Sequence, residues 1–423
     1  MSLKNNRYAT IIKIKMVNKG PMKIGNGDDG LLMDLVSNNP YLPGTSIAGA
    51  MRSYASSNFN DRAVKDLFGH DDRESNIYIS DSYASNKKEI EYRPGVKIDN
   101  RFGVNELGGY FERELLGSGH EFDVEIKVYA DKEEKREEQI IILKTILSAI
   151  NLGELRFGAN KTNGGGIMKI NRLDICYLDL QETKDFISFI SNDLKFIDEK
   201  KTFLSVRNSD KTVRFTFEGS TDTPLLVRGY DSLNHYLPDG CNMTNSKNEY
   251  IIPGSSFKGA IRNGFDKIAK NKNLSELTEI AFGQDSKSYD KKVGRLYFED
   301  IKIENYLDKA IYNRIKIDQF TGGVRTGAIL NESPVKGKLK SEVYFKTTGK
   351  RELDKKIIAT MLYTLRDALI GDISFGGGSA IGRGKLKGIF IKLEMNNQTA
   401  KLDLAGNNHE NKDMIIDLIS AIN

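Results

Sequence analysis

Tryptophan is absent from the 423 residues, and cysteine and histidine are scarce, with two and four copies. Cys176 and Cys241 stand too far apart in sequence to suggest a disulfide framework or a zinc site, which points to a reducing compartment. His70, His120, His235 and His409 show neither metal-ligand spacing nor a paired nucleophile, so zinc hydrolysis and catalytic triads find no support. Charge of one sign is lacking too. Sixty-three basic residues face 58 acidic ones, so any polyanion-binding face must arise from local segregation of charge. No apolar run approaches a membrane span and no signal-like segment opens the chain; the expectation is a soluble, cytoplasmic protein with no membrane partner. The glycine-rich stretches end in neither a P-loop nor a Rossmann pattern, and the aromatic signature of common RNA-recognition domains is missing.

What is present is a duplication. Pro43-Gly44-Thr45-Ser46-Ile47-Ala48-Gly49-Ala50-Met51-Arg52 returns as Pro253-Gly254-Ser255-Ser256-Phe257-Lys258-Gly259-Ala260-Ile261-Arg262. Phe68-Gly69 returns at Phe282-Gly283, Lys97-Ile98-Asp99 at Lys316-Ile317-Asp318, and Phe157-Gly158 at Phe375-Gly376. Four marks in one order imply two related domains, set here at residues 1–205 and 206–423. Each Pro-Gly segment reads as a turn opening a helix, where backbone N–H groups and hydroxyls welcome a phosphate. The alternative is a plain N-cap beside a packing glycine.

Within each copy the periodicity predicts a ferredoxin-like βαββαβ order. The strands are expected at Tyr8–Val17, Asn76–Ser80, Glu121–Tyr129 and Gly166–Tyr177, with helices at Ser46–Ser56 and Glu134–Asn151. Strands in the second copy are expected at Lys211–Glu218, Gly294–Asp300, Lys340–Lys346 and Lys385–Met395, with helices at Ser255–Lys270 and Glu352–Ile370. Asp179–Thr202 reads as an amphipathic helical linker whose Phe186, Ile187, Phe189 and Ile190 need cover. Residues 396–411 read as a loose polar tail before a final apolar helix that closes the second core. Tyr92–Leu116 and Tyr312–Pro334 are basic, Gly-rich and too long for ordinary turns.

The two Pro-Gly segments, the strands ending in Asp81 and Asp300, the Ile-Asp marks and the late glycine loops at 157–166 and 375–384 together resemble the RAMP superfamily of CRISPR-associated proteins. Within that superfamily the chain is similar to backbone subunits of type III RNA-guided effector complexes. The resemblance implies an α+β chain of two ferredoxin-like (RRM-like) RAMP domains in tandem, each with an inserted thumb-like β-hairpin. Its implied partners are CRISPR RNA, target RNA and other CRISPR effector subunits, with sequence recognition left to the guide.

Site residues follow by position. Thr45, Ser46, Arg52, Lys97, Arg101 and Lys161 in the first copy, and Ser255, Ser256, Lys258, Arg262, Lys316, Arg325, Ser379 and Arg383 in the second, are the implied RNA contacts. Ala48 stands where the second copy has Lys258, and Gly165 where it has Arg383, so the second copy is the stronger binder. In catalytic relatives an aspartate upstream of the Pro-Gly segment is needed for metal-dependent cleavage. Asp34 occupies that place, with Asp28 and Asp29 as weaker candidates; in the second copy Asp239 does, with Asp231 as its rival. Mg²⁺ or another divalent cation at Asp34 and Asp239 is the implied cofactor. Three readings stay open: a target-cleaving subunit, a non-catalytic scaffold of the same complex, and a stand-alone precursor CRISPR RNA endoribonuclease.

Overall fold

Alternation along Tyr8–Asn18 sends Ile12, Ile14 and Met16 into one core while Lys13 and Lys15 stay on the other face. In the computed structural model, which describes residues 6–25, 30–84, 89–99, 104–205, 211–229, 238–284, 293–307, 310–406 and 408–422, this strand is the centre of a mixed α+β unit. Glu121–Ala130 flanks it on one side and Met168–Asp179 on the other, both antiparallel, and Ile77–Ile79 extends the first flank. Ile47, Met51 and Ala55 line the inward face of the opening helix Gly44–Ser56 at intervals of one turn. The long helix Glu133–Asn151 adds Ile142, Leu143, Ile146 and Ile150 to the same core.

The second unit repeats the plan. Thr212–Thr221 lies between Lys336–Lys346 and Leu386–Met395, again antiparallel, in a seven-stranded sheet. The opening helix Gly254–Asn271 buries Phe257, Ile261 and Phe265, and the long helix Arg351–Leu369 buries Ile357, Met361 and Leu365. Phe257 sits among Phe217, Phe298 and Phe375 at centroid distances of 5.3–5.7 Å. Fully burying each such ring contributes about 1.5–3 kcal/mol. Both central strands carry a register shift near their ends, between Lys15 and Met16 and between Glu218 and Gly219.

By packing, the first unit comprises Met1–Ile90, Glu114–Lys161 and Gly165–Asn208; the second comprises Glu91–Arg113, Thr162–Gly164 and Ser209–Asn423. The long inserted segments form paired strands, Ile90–Asp99 with Val104–Leu116 and Tyr312–Ile317 with Val324–Ser333.

Two expectations need correction. The polar tail is not loose: Gln398–Asp403 pairs with Leu386–Met395. Asn396 and Asn397 both take positive φ, 49° and 59°, the backbone of a tight I′ hairpin turn that asparagine tolerates. The linker is not one amphipathic helix either. Its helix is Thr183–Ser191, stopped by Asn192 in the left-handed region. Phe189 packs beside Ala9 and Ile11 on the outer sheet face, while Phe186, Ile187 and Ile190 stay exposed. The final helix Lys412–Ser420 places Leu418 in the second core.

Candidate nucleic-acid interface

Each opening helix starts where glycine is sterically required. A Cβ at Gly44 would lie 2.2 Å from the Ile79 carbonyl oxygen, and one at Gly254 would lie 2.7 Å from that of Asn163. The Gly44 N–H donates to Asp81 Oδ1 at 2.7 Å and the Gly254 N–H to Asp300 Oδ1 at 2.8 Å. The acid ending each short strand is therefore a cap supplied from outside the helix, a carboxylate where the positive end of the helix dipole favours one. Thr45 and Ser46 project exposed from the first turn, as do Ser255 and Ser256, and Arg52 is exposed nearly two turns on. Gly49 and Gly259 face open space, so the helix surface is flat there.

In the second unit this helix carries more charge. Lys258 donates to Thr162 Oγ1 at 2.9 Å, and burial together with the neighbouring Arg262 pushes its pKa down to about 8. Arg262 donates to the Gly283 carbonyl at 3.3 Å. Asp300 also pairs with Arg93 at 2.7 Å, and Arg93 with Glu91 at 2.6 Å, all three groups nearly buried. Burial opposes the charge on Arg93, but Asp300 and Glu91 outweigh it and raise its pKa. Glu91 also accepts the Ser246 N–H at 2.8 Å.

Both glycine loops close by the same bonds. Phe157 N–H donates to Gly166 and Phe375 N–H to Gly384; Gly166 and Gly384 donate in turn to Pro21 and Pro224; Ala159 and Gly377 donate to Lys23 and Leu226. Gly166 and Gly384 have positive φ, and a Cβ on either would meet a phenylalanine carbonyl oxygen below 2 Å. Lys161 lies half-buried in the first loop, and Ser379 is exposed in the second. Arg383 is buried. Its guanidinium pairs with Glu332 and lies 5.2 Å above the Tyr312 ring.

Glu332, only 2% exposed, is the acceptor for two more arginines, Arg228 at 2.8 Å and Arg314 at 3.3 Å. Burial works against its charge, and the three guanidinium bonds outweigh it and hold its pKa below the usual value. Asp239, exposed, accepts the N–H of the adjacent Asn331 at 2.9 Å. Asp34 sits in a turn, where Ser37 donates both its hydroxyl and its N–H at 2.6 Å and holds the carboxyl below its ordinary pKa. Lys97 and Lys316 are exposed on their hairpins. Arg325 reaches Asp318 at 3.4 Å, and Asp318 itself caps the turn through the N–H groups of Phe320 and Thr321. Arg101 and Asp231, with Asp28 and Asp29, lie outside the described residues.

The RAMP superfamily model matches residues 15–169 and again 219–387, most of the chain. The chain belongs to the RAMP superfamily. One relative, the CRISPR system CMR subunit Cmr6 of Saccharolobus solfataricus, is 29% identical over 69 residues, 16% of this chain and 24% of that protein. The matched stretch is thus about a quarter of that relative's length. Among solved structures, the cryo-EM structure of the Type III-B Cmr-beta bound to cognate target RNA is similar at 18% identity and a TM-score of 0.32, over 40% of this chain and 61% of the other.

Each matched RAMP region contains one opening helix, one inserted hairpin and one glycine loop. Asp300, Arg93, Arg228, Arg314 and Glu332 were not singled out as site residues from the sequence. Overlaying the two copies exposes part of this set: aligning Pro21 with Pro224 puts Gly25 on Arg228, and aligning the Lys-Ile-Asp marks puts Gly95 on Arg314. Among the described residues no group of three or more His, Cys, Asp or Glu gathers as a metal site, and no helix is long and apolar enough to cross a membrane.

Proposed function

We propose that this RAMP protein is an RNA-binding backbone subunit of a cytoplasmic type III CRISPR effector complex, with CRISPR RNA, target RNA and other effector subunits as partners. In this reading residues 1–205 and 206–423 are two ferredoxin-like domains, each strand order being that of a split βαβ unit. The observation that carries it is repetition: two matched regions each combine an exposed hydroxyl-bearing helix start, an inserted hairpin and a glycine loop. Such surfaces follow a sugar-phosphate backbone and leave base reading to a guide. The hairpins act as thumbs over the guide–target duplex. Phe320, fully exposed at one tip, is suited to wedge a base step apart.

Cleavage is assigned to Asp34 and Asp239. Each brings one carboxylate, so a divalent ion there would take its other oxygens from RNA phosphates and water, a donor set that suits Mg²⁺. Asp34→Ala and Asp239→Ala in the assembled complex are each expected to lower Mg²⁺-dependent cutting at a different target position by about a hundredfold or more, with target binding retained. Sequencing-gel analysis of the cleaved target checks this.

The non-catalytic scaffold is favoured by one observation: both carboxylates already have structural work, Asp34 in the Ser37 turn and Asp239 on the Asn331 N–H. Unchanged cutting by both variants selects that reading.

A further inference from the structure

Arg228, Arg314 and Arg383 converge on one buried carboxylate, that of Glu332. Three guanidinium groups against one glutamate leave the cluster positive even with Asp239 counted at its edge. The three arginines differ in exposure. Arg383 is buried between Glu332 and the Tyr312 ring, whereas the Arg228 and Arg314 side chains are 50% and 42% exposed. Each guanidinium has five N–H donors in a planar fork, and Glu332 takes one contact from each of these two. Buried Gly240 lets Glu332 and Arg228 pack closely, since a Cβ there would lie 3.3 Å from Glu332 Cγ and 3.4 Å from Arg228 Nε.

The fold does not require this cluster. In the first copy the same loop closes through the same hydrogen bonds, yet Gly25, Gly95 and Gly165 stand in place of Arg228, Arg314 and Arg383, and Arg113 in place of Glu332. A buried glutamate with three arginines is therefore an addition to the scaffold. Its chemistry is that of a preoriented anion receptor: Glu332 and Arg383 fix the geometry, and the exposed forks face solvent.

We infer that Arg228 and Arg314 form a phosphate-binding site of the second unit, positioned by Glu332 and Arg383, and that it takes a phosphate of an RNA strand. The inference rests on the RNA-binding reading above. It moves the working cations away from Arg383, which is spent inside the cluster.

The test uses the full chain and fluorescein-labelled single-stranded RNA, measured by anisotropy across a salt series. Arg228→Ala with Arg314→Ala should reduce the slope of log affinity against log salt by about 1.4, about 0.7 for each lost contact. Affinity should fall about tenfold for each arginine removed. A thermal melt checks folding, and Arg228→Lys with Arg314→Lys, which keeps the charges, should retain the slope while losing part of the affinity. Equal loss on strands with 5′-hydroxyl and 5′-phosphate ends supports an internal phosphodiester as the ligand; loss confined to the phosphorylated strand supports a terminal phosphate. If the parent binds RNA and the double alanine variant matches it in slope and affinity, the site is wrong while the RNA-binding reading stands. A parent that binds no RNA overturns both.

Discussion

The two copies share backbone and differ in charge. Pro21, Phe157 and Gly166 in one copy and Pro224, Phe375 and Gly384 in the other make the same loop bonds, and Asp81 and Asp300 cap equivalent helix starts. The first opening helix has Ala48 where the second has Lys258, and Asp81 is exposed where Asp300 is held by Arg93. The scaffold is thus specified by glycines and carbonyl groups that tolerate no Cβ, while the exposed chemistry is free to vary on top of it. Two sites of one architecture need not bind with one strength.

The sharpest way to break this comparison is through the capping acids. Asp300→Ala removes a helix cap and leaves buried Arg93 short of a partner, so it should cost about 3–5 kcal/mol. Asp81→Ala removes an exposed cap and should cost about 1 kcal/mol. Thermal unfolding followed by far-ultraviolet circular dichroism reads both, at roughly 2–4 °C per kcal/mol. Equal losses would mean that the two caps do the same work.

The glycine loops should instead respond alike. Gly166→Ala and Gly384→Ala each force a Cβ onto a backbone carbonyl and a non-glycine residue into positive φ, costing at least about 2 kcal/mol apiece. Unequal losses in the same melts would show that the shared bonds are not equally important.

A smaller effect separates the opening helices by pH. Because the folded-state pKa of Lys258 is depressed to about 8, the fold binds this proton less tightly than the unfolded chain does. Its contribution to stability is therefore complete above the unfolded value of about 10.4 and is lost as pH falls through about 8. RNA affinity should move the other way, weakening severalfold as pH rises past 8 and the ammonium is lost. Lys258→Arg, charged throughout, should flatten the binding trend. A parent affinity flat between pH 7 and 9 would remove Lys258 from the proposed RNA surface.

How much of this was legible in the sequence follows from the range over which each signal acts. The opening helices and long helices were readable because burial repeats within a few residues, as at Phe257, Ile261 and Phe265. Capping by Asp81 and Asp300 was half readable: the acids were marked as a recurring feature, but their partner lies across the fold. The Arg93–Asp300 pair and the Glu332 cluster join residues far apart in sequence, and no local periodicity reports such contacts. The strand Gln398–Asp403 is hidden because Asn396-Asn397 has the composition of a polar tail, while its role as a turn depends on the positive φ that asparagine accepts. For Arg228 and Arg314 the usable signal is a mismatch between the copies, glycine against arginine, of the same kind as Gly165 against Arg383.

The pairing of Arg93 with Asp300 also sets a timetable for biosynthesis. A ribosome adding about 5–20 residues per second delivers the aspartate roughly 10–40 s after the arginine. Through that interval Glu91 and Arg93 emerge with half of their final charge network still unmade, so the first hairpin is among the last parts of the chain to reach its native seat. Truncating translation between the two copies would leave this segment as the exposed, protease-accessible part of an otherwise folded nascent product.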